Sequence, residues 1–349
     1  MDKMRAAQLT GLRSVGITEV PKPVLSQDDE VLLRVGAVGI CGSDVHYYRH
    51  GRIGGQEVAY PFTPGHECTG TVEACGPAAG DLTTGDRVAV DPAVSCGACD
   101  QCRFGRPHTC RSLKFLGCPG QLTGCLSEYI VMPARNCFKL PENIGLTQGV
   151  LAEPLAIGDY AVDFLVGSGA QTIGILGLGP IGLSVLLCAR KTGIRNIFVT
   201  DNVEARSKAA LDAGAVWAGN PTRTDITADI RERETGLDAV FECCGDPEAL
   251  DQAVELLHPG GTLLILGIPE VDRVSFDIHR LRRKEIRIQN VRRQNHCTDR
   301  ALVSLADGSL DASFMITHTF RLQDTGQALE TAAAYADGVI KAVISLFHP

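Results

Sequence analysis

A chain of 349 residues with 44% hydrophobic content has material for ordinary buried cores in one to three domains. Its formal net charge of -8 provides no general basic face for nucleic acid or an anionic membrane. No apolar run reaches the roughly 20 residues of a membrane span, and the opening MDKMRAAQLTGLRS lacks the apolar centre of a secretory signal, so a soluble, cytoplasmic protein is expected.

Up to about residue 150 the chain reads as β-rich. EVLLRVGAV (30–38), GTVEAC (70–75), DRVAVDP (86–92) and SEYIVMP (127–133) are short apolar runs separated by Gly, Pro and Asp turns. Between them lie GICGSDVHYYRHGRIG (39–54) and TPGHECTG (63–70). Cys41, His66 and Glu67 there offer a thiolate, an imidazole and a carboxylate, the donor types of a zinc site that keeps one position open. Taken singly, each reads equally well as a core cysteine, a loop histidine and a solvated glutamate, and composition alone does not join them.

CGACDQCRFGRPHTC (96–110) is more specific. Cys96, Cys99, Cys102 and Cys110 lie close enough in one Gly- and Pro-containing loop to wrap a single zinc ion as a closed tetrathiolate. In a reducing compartment the 14 cysteines are metal ligands and buried thiols rather than disulfides. Cys188, Cys243 and Cys244, inside apolar patterns, read as small core residues.

From Gln171 strands alternate with helices. TIGILG (172–177), NIFVTD (196–201), DAVFECCG (238–245), GTLLILGI (261–268) and IRIQNV (286–291) read as strands, and 180–192, 203–214 and 247–257 as helices. Such alternation predicts a parallel sheet covered on both faces. Gly177, Gly179, Pro180, Ile181 and Gly182 lie in GLGPIG between the first strand and its helix. The glycines there permit a tight turn, a close approach of backbone to a pyrophosphate, and close helix–strand packing. Asp201 closes the next strand, where an acid accepts from a ribose 2′-OH and repels a 2′-phosphate, which favours NAD over NADP; its alternative is an N-cap for the following helix. Arg206 is either part of that nucleotide site or a solvated charge on a helix. After Arg292 the alternation stops, although HTFRL (318–322), a helix over 323–336 and VIKAVISL (339–346) remain.

In chain order, GICGSD, GHE, the four-cysteine loop, LAEPLAI (151–157) and GLGPIG resemble the zinc-dependent medium-chain dehydrogenases, and HYYRHGRIG resembles their sorbitol (polyol) branch. The resemblance spans essentially the whole chain. It implies an α/β plus β fold. Residues 1–154 form a GroES-like β-barrel catalytic domain with a structural zinc lobe at about 92–112. Residues 155–291 form an inserted Rossmann NAD-binding domain, a doubly wound parallel sheet, and 292–349 return to complete the catalytic domain, with the active site in the cleft.

The same resemblance implies two zinc ions per subunit. Cys41, His66 and Glu67 bind the catalytic one, and Cys96, Cys99, Cys102 and Cys110 the structural one. Glu153 stands where many alcohol dehydrogenases have cysteine, and completes the catalytic zinc shell or holds its water. Ser43 and His46 match relay positions for the proton, with water held by Glu153 as the competing route. Asp44 matches an orienting position. Tyr47, Phe115, Leu116 and Arg292 match substrate-pocket positions. Arg293 replaces an aromatic residue of the animal enzymes; the Arg292–Arg293 pair suits an acidic or phosphorylated polyol, a subunit contact or solvent.

The implied activity is hydride transfer between the secondary alcohol of a polyol and NAD to give a ketose. Alternatives are NAD-dependent oxidation of another secondary alcohol, such as L-threonine, a vicinal diol, a sugar acid or a polyol phosphate. A non-catalytic nucleotide-binding protein is disfavoured because no zinc ligand is lost. The implied partners are a small-molecule substrate and copies of the same chain, as a homotetramer or homodimer paired near 286–291, with no nucleic acid and no membrane.

Overall fold

The computed structural model describes residues 2–346, which fall into two compact units. One contains the chain up to Glu153, Thr298–Gly308 and the segment from Ile316; the other contains Pro154–Cys297 and Ser309–Met315. The return to the first unit thus begins at Thr298 rather than at 292, and Ser309–Met315 groups with the second unit. Arg293 and His296, both in left-handed backbone (φ 55° and 57°), lie between the strand Arg287–Asn290 and the helix Thr298–Ala306.

The first unit is organised around the strand Glu30–Gly39, which is apolar and buried along nearly its whole length. Glu67–Cys75 pairs antiparallel with it from Val31↔Cys75 to Gly39↔Glu67. Its other edge is shared: Tyr129–Pro133 takes Glu30–Arg34, and Lys341–Ser345 takes Ala37–Gly39. The chain's last strand therefore completes a ladder begun some three hundred residues earlier, which is why the tail abandons the α/β alternation. Arg87–Val90 and Cys137–Lys139 extend the sheet on one side, and Ile316–Arg321 extends it on the other. This path is open: among the described residues the ladders do not close into the ring that a barrel requires. Leu33, Val38, Val72, Leu126, Met132 and Ile344, all essentially inaccessible, belong to its core.

The second unit carries six parallel strands in the order Trp217–Gly219, Asn196–Thr200, Thr172–Leu176, Leu237–Glu242, Leu257–Ile265 and Arg287–Asn290. Thr172–Leu176 is buried on both faces, as a central parallel strand should be. The chain runs outward from it in both directions, so the order reverses beside it, where open α/β sheets bind ligands at their carboxyl ends. The helix Pro180–Lys191 presents a broad buried face, and Pro247–Leu256 packs on the adjacent strands. The helices Ala152–Asp163, Ile226–Arg231 and Ile278–Lys284 and the strand Trp217–Gly219 were not foreseen; two of those helices carry N-cap signals, Asp225 and Asp277, each accepting two backbone N–H groups. Cys188 is buried as expected, whereas Cys243 is half-buried and Cys244 exposed, because the strand ends at Glu242 and they begin the loop after it. No helix among the described residues is long and apolar enough to cross a membrane.

At the amino ends of three of these strands, one carboxylate ties the sheet together. Asp238 Oδ2 accepts the N–H groups of Gln171 and Thr172, and Oδ1 lies 2.6 Å from His258 Nε2. His258 Nδ1 lies 3.0 Å from the Pro259 carbonyl oxygen, so both ring nitrogens face acceptors, an arrangement that favours the imidazolium. The Asp238 hydrogen bond raises the His258 pKa above its ordinary value, against an opposing effect of burial. A raised folded-state pKa contributes stability that is fully present below the unfolded value of about 6.5 and fades as pH rises through the folded one. The pair is partly exposed, so solvent screening keeps this contribution below about 1 kcal/mol. His258→Gln is expected to lower the unfolding midpoint more at pH 5.5 than at pH 9; an equal loss at both pH values, read by thermal denaturation, would show that the charge contributes nothing.

Candidate active site and metal centres

The four-cysteine loop brings its sulfurs together as spacing predicts. Cys99 Sγ lies 3.6 Å from Cys102 Sγ and 3.8 Å from Cys110 Sγ, and Cys96 Sγ lies 4.0 Å from Cys102 Sγ. A zinc tetrahedron with bonds of about 2.3 Å has sulfur–sulfur edges of about 3.8 Å, so the donor set fits that ion. Backbone N–H groups point at the sulfurs: Cys96 N and Ser112 N to Cys110 Sγ, and Ala98 N to Cys96 Sγ. The N–H groups of Arg111 and Cys102 hold the Cys99 thiol down to about 6, ready to ligate as thiolate. The lobe is latched by Arg111, whose guanidinium grips both Asp100 carboxylate oxygens at 2.5 and 2.8 Å.

A second donor group forms from distant segments of the first unit. One ligand atom from each of Cys41, His66 and Glu67 lies within 4.8 Å of the others. Cys41 is the N-cap of the helix Gly42–His50, and Glu67 opens the strand Glu67–Cys75. Asp44, completely buried, joins the two: Oδ2 accepts Cys41 N–H and Oδ1 accepts Gly65 N–H, each at 3.0 Å. Its Oδ1 also lies 3.8 Å from His66 Nδ1. This orienting carboxylate fixes the cysteine and the histidine turn relative to one another, the kind of support that metal ligands need.

Glu153 stands outside the three-donor group, in the first turn of the helix Ala152–Asp163. Its Oε2 is buried with no hydrogen-bond partner. Burial pushes this carboxyl up to about 7; His66 and Lys341 pull it down and Glu67 pushes it further up.

Lys341 is the residue that sequence reasoning missed. Its ammonium donates to Glu67 Oε1 at 2.8 Å, to Glu67 Oε2 at 2.5 Å and to the Ile40 carbonyl at 3.1 Å, and both side chains of the ion pair are 1% exposed. Burial by itself would lower the lysine pKa; Glu67 and Cys41 outweigh it and keep the ammonium charged. A lone lysine inside the apolar run VIKAVIS was the available signal, because lysine is almost never fully buried unless paired.

Around this group, Phe115 is buried with its ring 5.1 Å from that of His66. Tyr47 is buried as well, its ring set edge-on to Phe62 and its hydroxyl donating to Cys118 Sγ at 3.8 Å. Leu116 is core. Ser43 and His46 lie, partly exposed, in the helix that begins after Cys41.

In the second unit GLGPIG joins the strand Thr172–Leu176 to the helix Pro180–Lys191, with Gly179 as N-cap and Pro180 and Ile181 opening the helix. Gly177 has φ 94°, and a Cβ at Gly182 would collide with the Gly177 carbonyl oxygen, so both need glycine. Asp201 is not an N-cap: Val203 holds that position, while Asp201 Oδ1 accepts Val203 N–H at 2.7 Å and Oδ2 accepts Leu178 N–H at 2.6 Å. Each carboxylate oxygen retains a lone pair for a ribose hydroxyl. Arg206 is not a solvated charge either. It is 7% exposed, and Nη1 lies 3.9 Å from where a Gly179 Cβ would be. Arg292 is exposed and Arg293 half-buried, both in this unit.

Residues 27–142 match the alcohol dehydrogenase GroES-like domain, and residues 180–307 match the zinc-binding dehydrogenase domain. The chain is 34% identical to a sorbitol dehydrogenase of Bacillus subtilis, over 98% of this chain and 97% of that one. It is 33% identical to an L-idonate 5-dehydrogenase of Vitis vinifera, over 94% and 91%. A solved oxidoreductase/dehydrogenase of unknown specificity from Escherichia coli superposes with a TM-score of 0.93 at 31% identity, covering 99% of this chain and 100% of that one. The chain belongs to the zinc-dependent medium-chain dehydrogenases, near their sorbitol and polyol branch. It is an oxidoreductase of that family, with zinc and a nicotinamide dinucleotide as cofactors.

Metal analysis of the purified protein is expected to give two zinc ions per chain, and one after Cys99→Ser. An unchanged zinc count in that variant would remove the lobe as a metal site.

Proposed function

We propose that this protein is an NAD-dependent polyol dehydrogenase that interconverts the secondary alcohol of an open-chain sugar alcohol and the corresponding ketose, in the cytoplasm. The observation that carries the reading is the group Cys41–His66–Glu67 backed by the buried, hydrogen-bond-free Glu153 Oε2. The similarity to sorbitol dehydrogenase supports the substrate class.

When bound, zinc supplies a Lewis acid that lowers the pKa of a hydroxyl, and the nicotinamide supplies the hydride acceptor. The chain's own residues do the rest. Cys41, His66 and Glu67 would hold the ion, which would act on the substrate hydroxyl. Asp44 keeps the first two in register by its bonds to Cys41 N–H and Gly65 N–H. Glu153, with a pKa near 7, takes up and returns a proton at Oε2 close to neutrality. Ser43 and His46 supply the alternative path for that proton. Tyr47 and Phe115 shape the substrate side of the donor group, and the buried Phe115 ring beside His66 keeps water from it.

Gly177, Gly179, Pro180, Ile181 and Gly182 receive the pyrophosphate, Asp201 the adenosine ribose, and Arg206 supports the glycine loop. An unphosphorylated ribose suits Asp201, which makes NAD the cofactor of choice. Like chains pair through the strand Arg287–Asn290, an edge that among the described residues has a ladder partner on one side only, to give a homodimer or homotetramer.

A second reading keeps the chemistry and changes the substrate to a sugar acid or polyol phosphate. Arg292 and Arg293 favour it, as does the similarity to L-idonate 5-dehydrogenase.

The deciding experiment is NADH formation at about 340 nm over neutral polyols, sugar acids, polyol phosphates, L-threonine and 2,3-butanediol, repeated with NADP and with a chelator. Chelator-sensitive activity on neutral polyols, greater with NAD than with NADP, is expected. Activity confined to anionic substrates would establish the second reading, and none on any substrate would defeat both. Glu153→Ala is expected to reduce kcat by about a hundredfold or more while NADH affinity changes little; parallel loss of both would show that the residue maintains structure instead.

A further inference from the structure

The helix Gly42–His50 buries one side and turns the other outward. Asp44, Tyr47 and Tyr48 are buried, whereas Ser43 and His46 are half-buried and His50 is exposed. Ser43, His46 and His50 stand three and then four residues apart, so they form one stripe along the outward side. The helix is held at both ends. Asp44 accepts Cys41 N–H at its start. Near its end Tyr48 Oη donates to Glu330 Oε2 at 3.0 Å, and Gly51, in left-handed backbone at φ 67°, donates its N–H to the Tyr47 carbonyl.

Two histidines four residues apart on a helix present both imidazoles to one ion, the spacing by which helical zinc sites take two of their ligands. The ring centroids of His46 and His50 are 6.0 Å apart with the planes inclined at 44°, and one nitrogen of each ring lies within 4.8 Å of the other. Zinc–nitrogen bonds of about 2.0 Å in a tetrahedron place two nitrogens about 3.3 Å apart. Rotation of the exposed His50 ring closes that difference while the backbone stays in place. Two further features favour a cation. His50 is the last residue of the helix, where carbonyl oxygens without intrahelical partners concentrate negative potential. Exposure at His50 also gives water access to the remaining coordination positions.

We propose that His46 and His50 form a third divalent-metal site, for zinc or another borderline first-row ion, on the outward side of the helix whose N-cap is Cys41. With two protein ligands in place of three or four, it binds more weakly than the other two centres and exchanges with the medium. A bound ion takes the His46 lone pair, and with it the ability of that ring to accept a proton. Excess zinc therefore closes the proton path through His46. That consequence rests on the role given to His46 in the proposed function; the site itself does not.

The test is equilibrium dialysis of the full-length, zinc-loaded protein against rising free zinc. Wild type is expected to take up one ion beyond those it retains after purification, with half-saturation at roughly 10–100 µM. His50→Gln and His46→Gln are each expected to need at least tenfold more zinc, since loss of a ligand costs no less than loss of a group that orients one. No additional ion up to about 1 mM, or the same uptake in folded His50→Gln as in wild type, overturns the proposal. Turnover is read over the same zinc range. Basal turnover of His50→Gln is expected to equal that of wild type, with zinc inhibition shifted at least tenfold upward. A third ion that binds through both histidines without slowing turnover supports the site and overturns the role of His46 in the proton path, so the two failures are told apart.

Discussion

The reactive half of this molecule depends on two opposite charges meeting inside a sheet. Taking a carboxylate and an ammonium out of water costs several kcal/mol each, and the cost is offset only when geometry is good and every remaining donor is used. Here the ammonium has Glu67 on one side and the Ile40 carbonyl on another, and all are supplied by segments registered on Glu30–Gly39. A slip of one residue in either ladder would turn Lys341 or Glu67 to the opposite face and leave its partner buried and unpaired. The ion pair thus makes register a condition of stability, and the same register sets the donor group.

Asp44 performs a related task chiefly through backbone donors. Its two oxygens are spent on the N–H groups of Cys41 and Gly65, so a helix start and a loop turn are held by one side chain. Asp201 does the same in the second unit by joining Leu178 to Val203, and Asp238 by joining two backbone N–H groups to His258. Carboxylates accepting backbone N–H groups recur because each satisfies donors that loops leave without secondary-structure partners. At Asp201 the loop held is the glycine turn, so the acid proposed to bind a ribose also sets that turn.

What could be read from the sequence was what is written locally. The four cysteines and the glycine loop each occupy one short segment, so spacing predicts their geometry, and the sulfur separations and the tight Gly177–Gly182 contact agree. The alternating strands were legible because a buried parallel strand is apolar throughout. Lys341 was not legible because its partner is 274 residues away and nothing near it shows why a lysine interrupts VIKAVIS. The short helices after Asp225 and Asp277 carried legible caps but too little apolar periodicity to stand out. The grouping of Arg292–Cys297 with the second unit could not be foreseen from a change of pattern, because the segment has none.

The two candidate metal centres differ in the way the chain makes them, and that bears on how they should behave. The tetracysteine lobe closes within fifteen residues, and its thiols are readied by the loop's own N–H groups. A metal ion there would staple one loop. The Cys41–His66–Glu67 group takes its parts from a helix cap, a turn and a strand, and its nearest counter-charge from the chain's last strand. Such a site exists only when the whole sheet is assembled. Its geometry is therefore set by segments far apart in the chain, including residues that are not themselves donors.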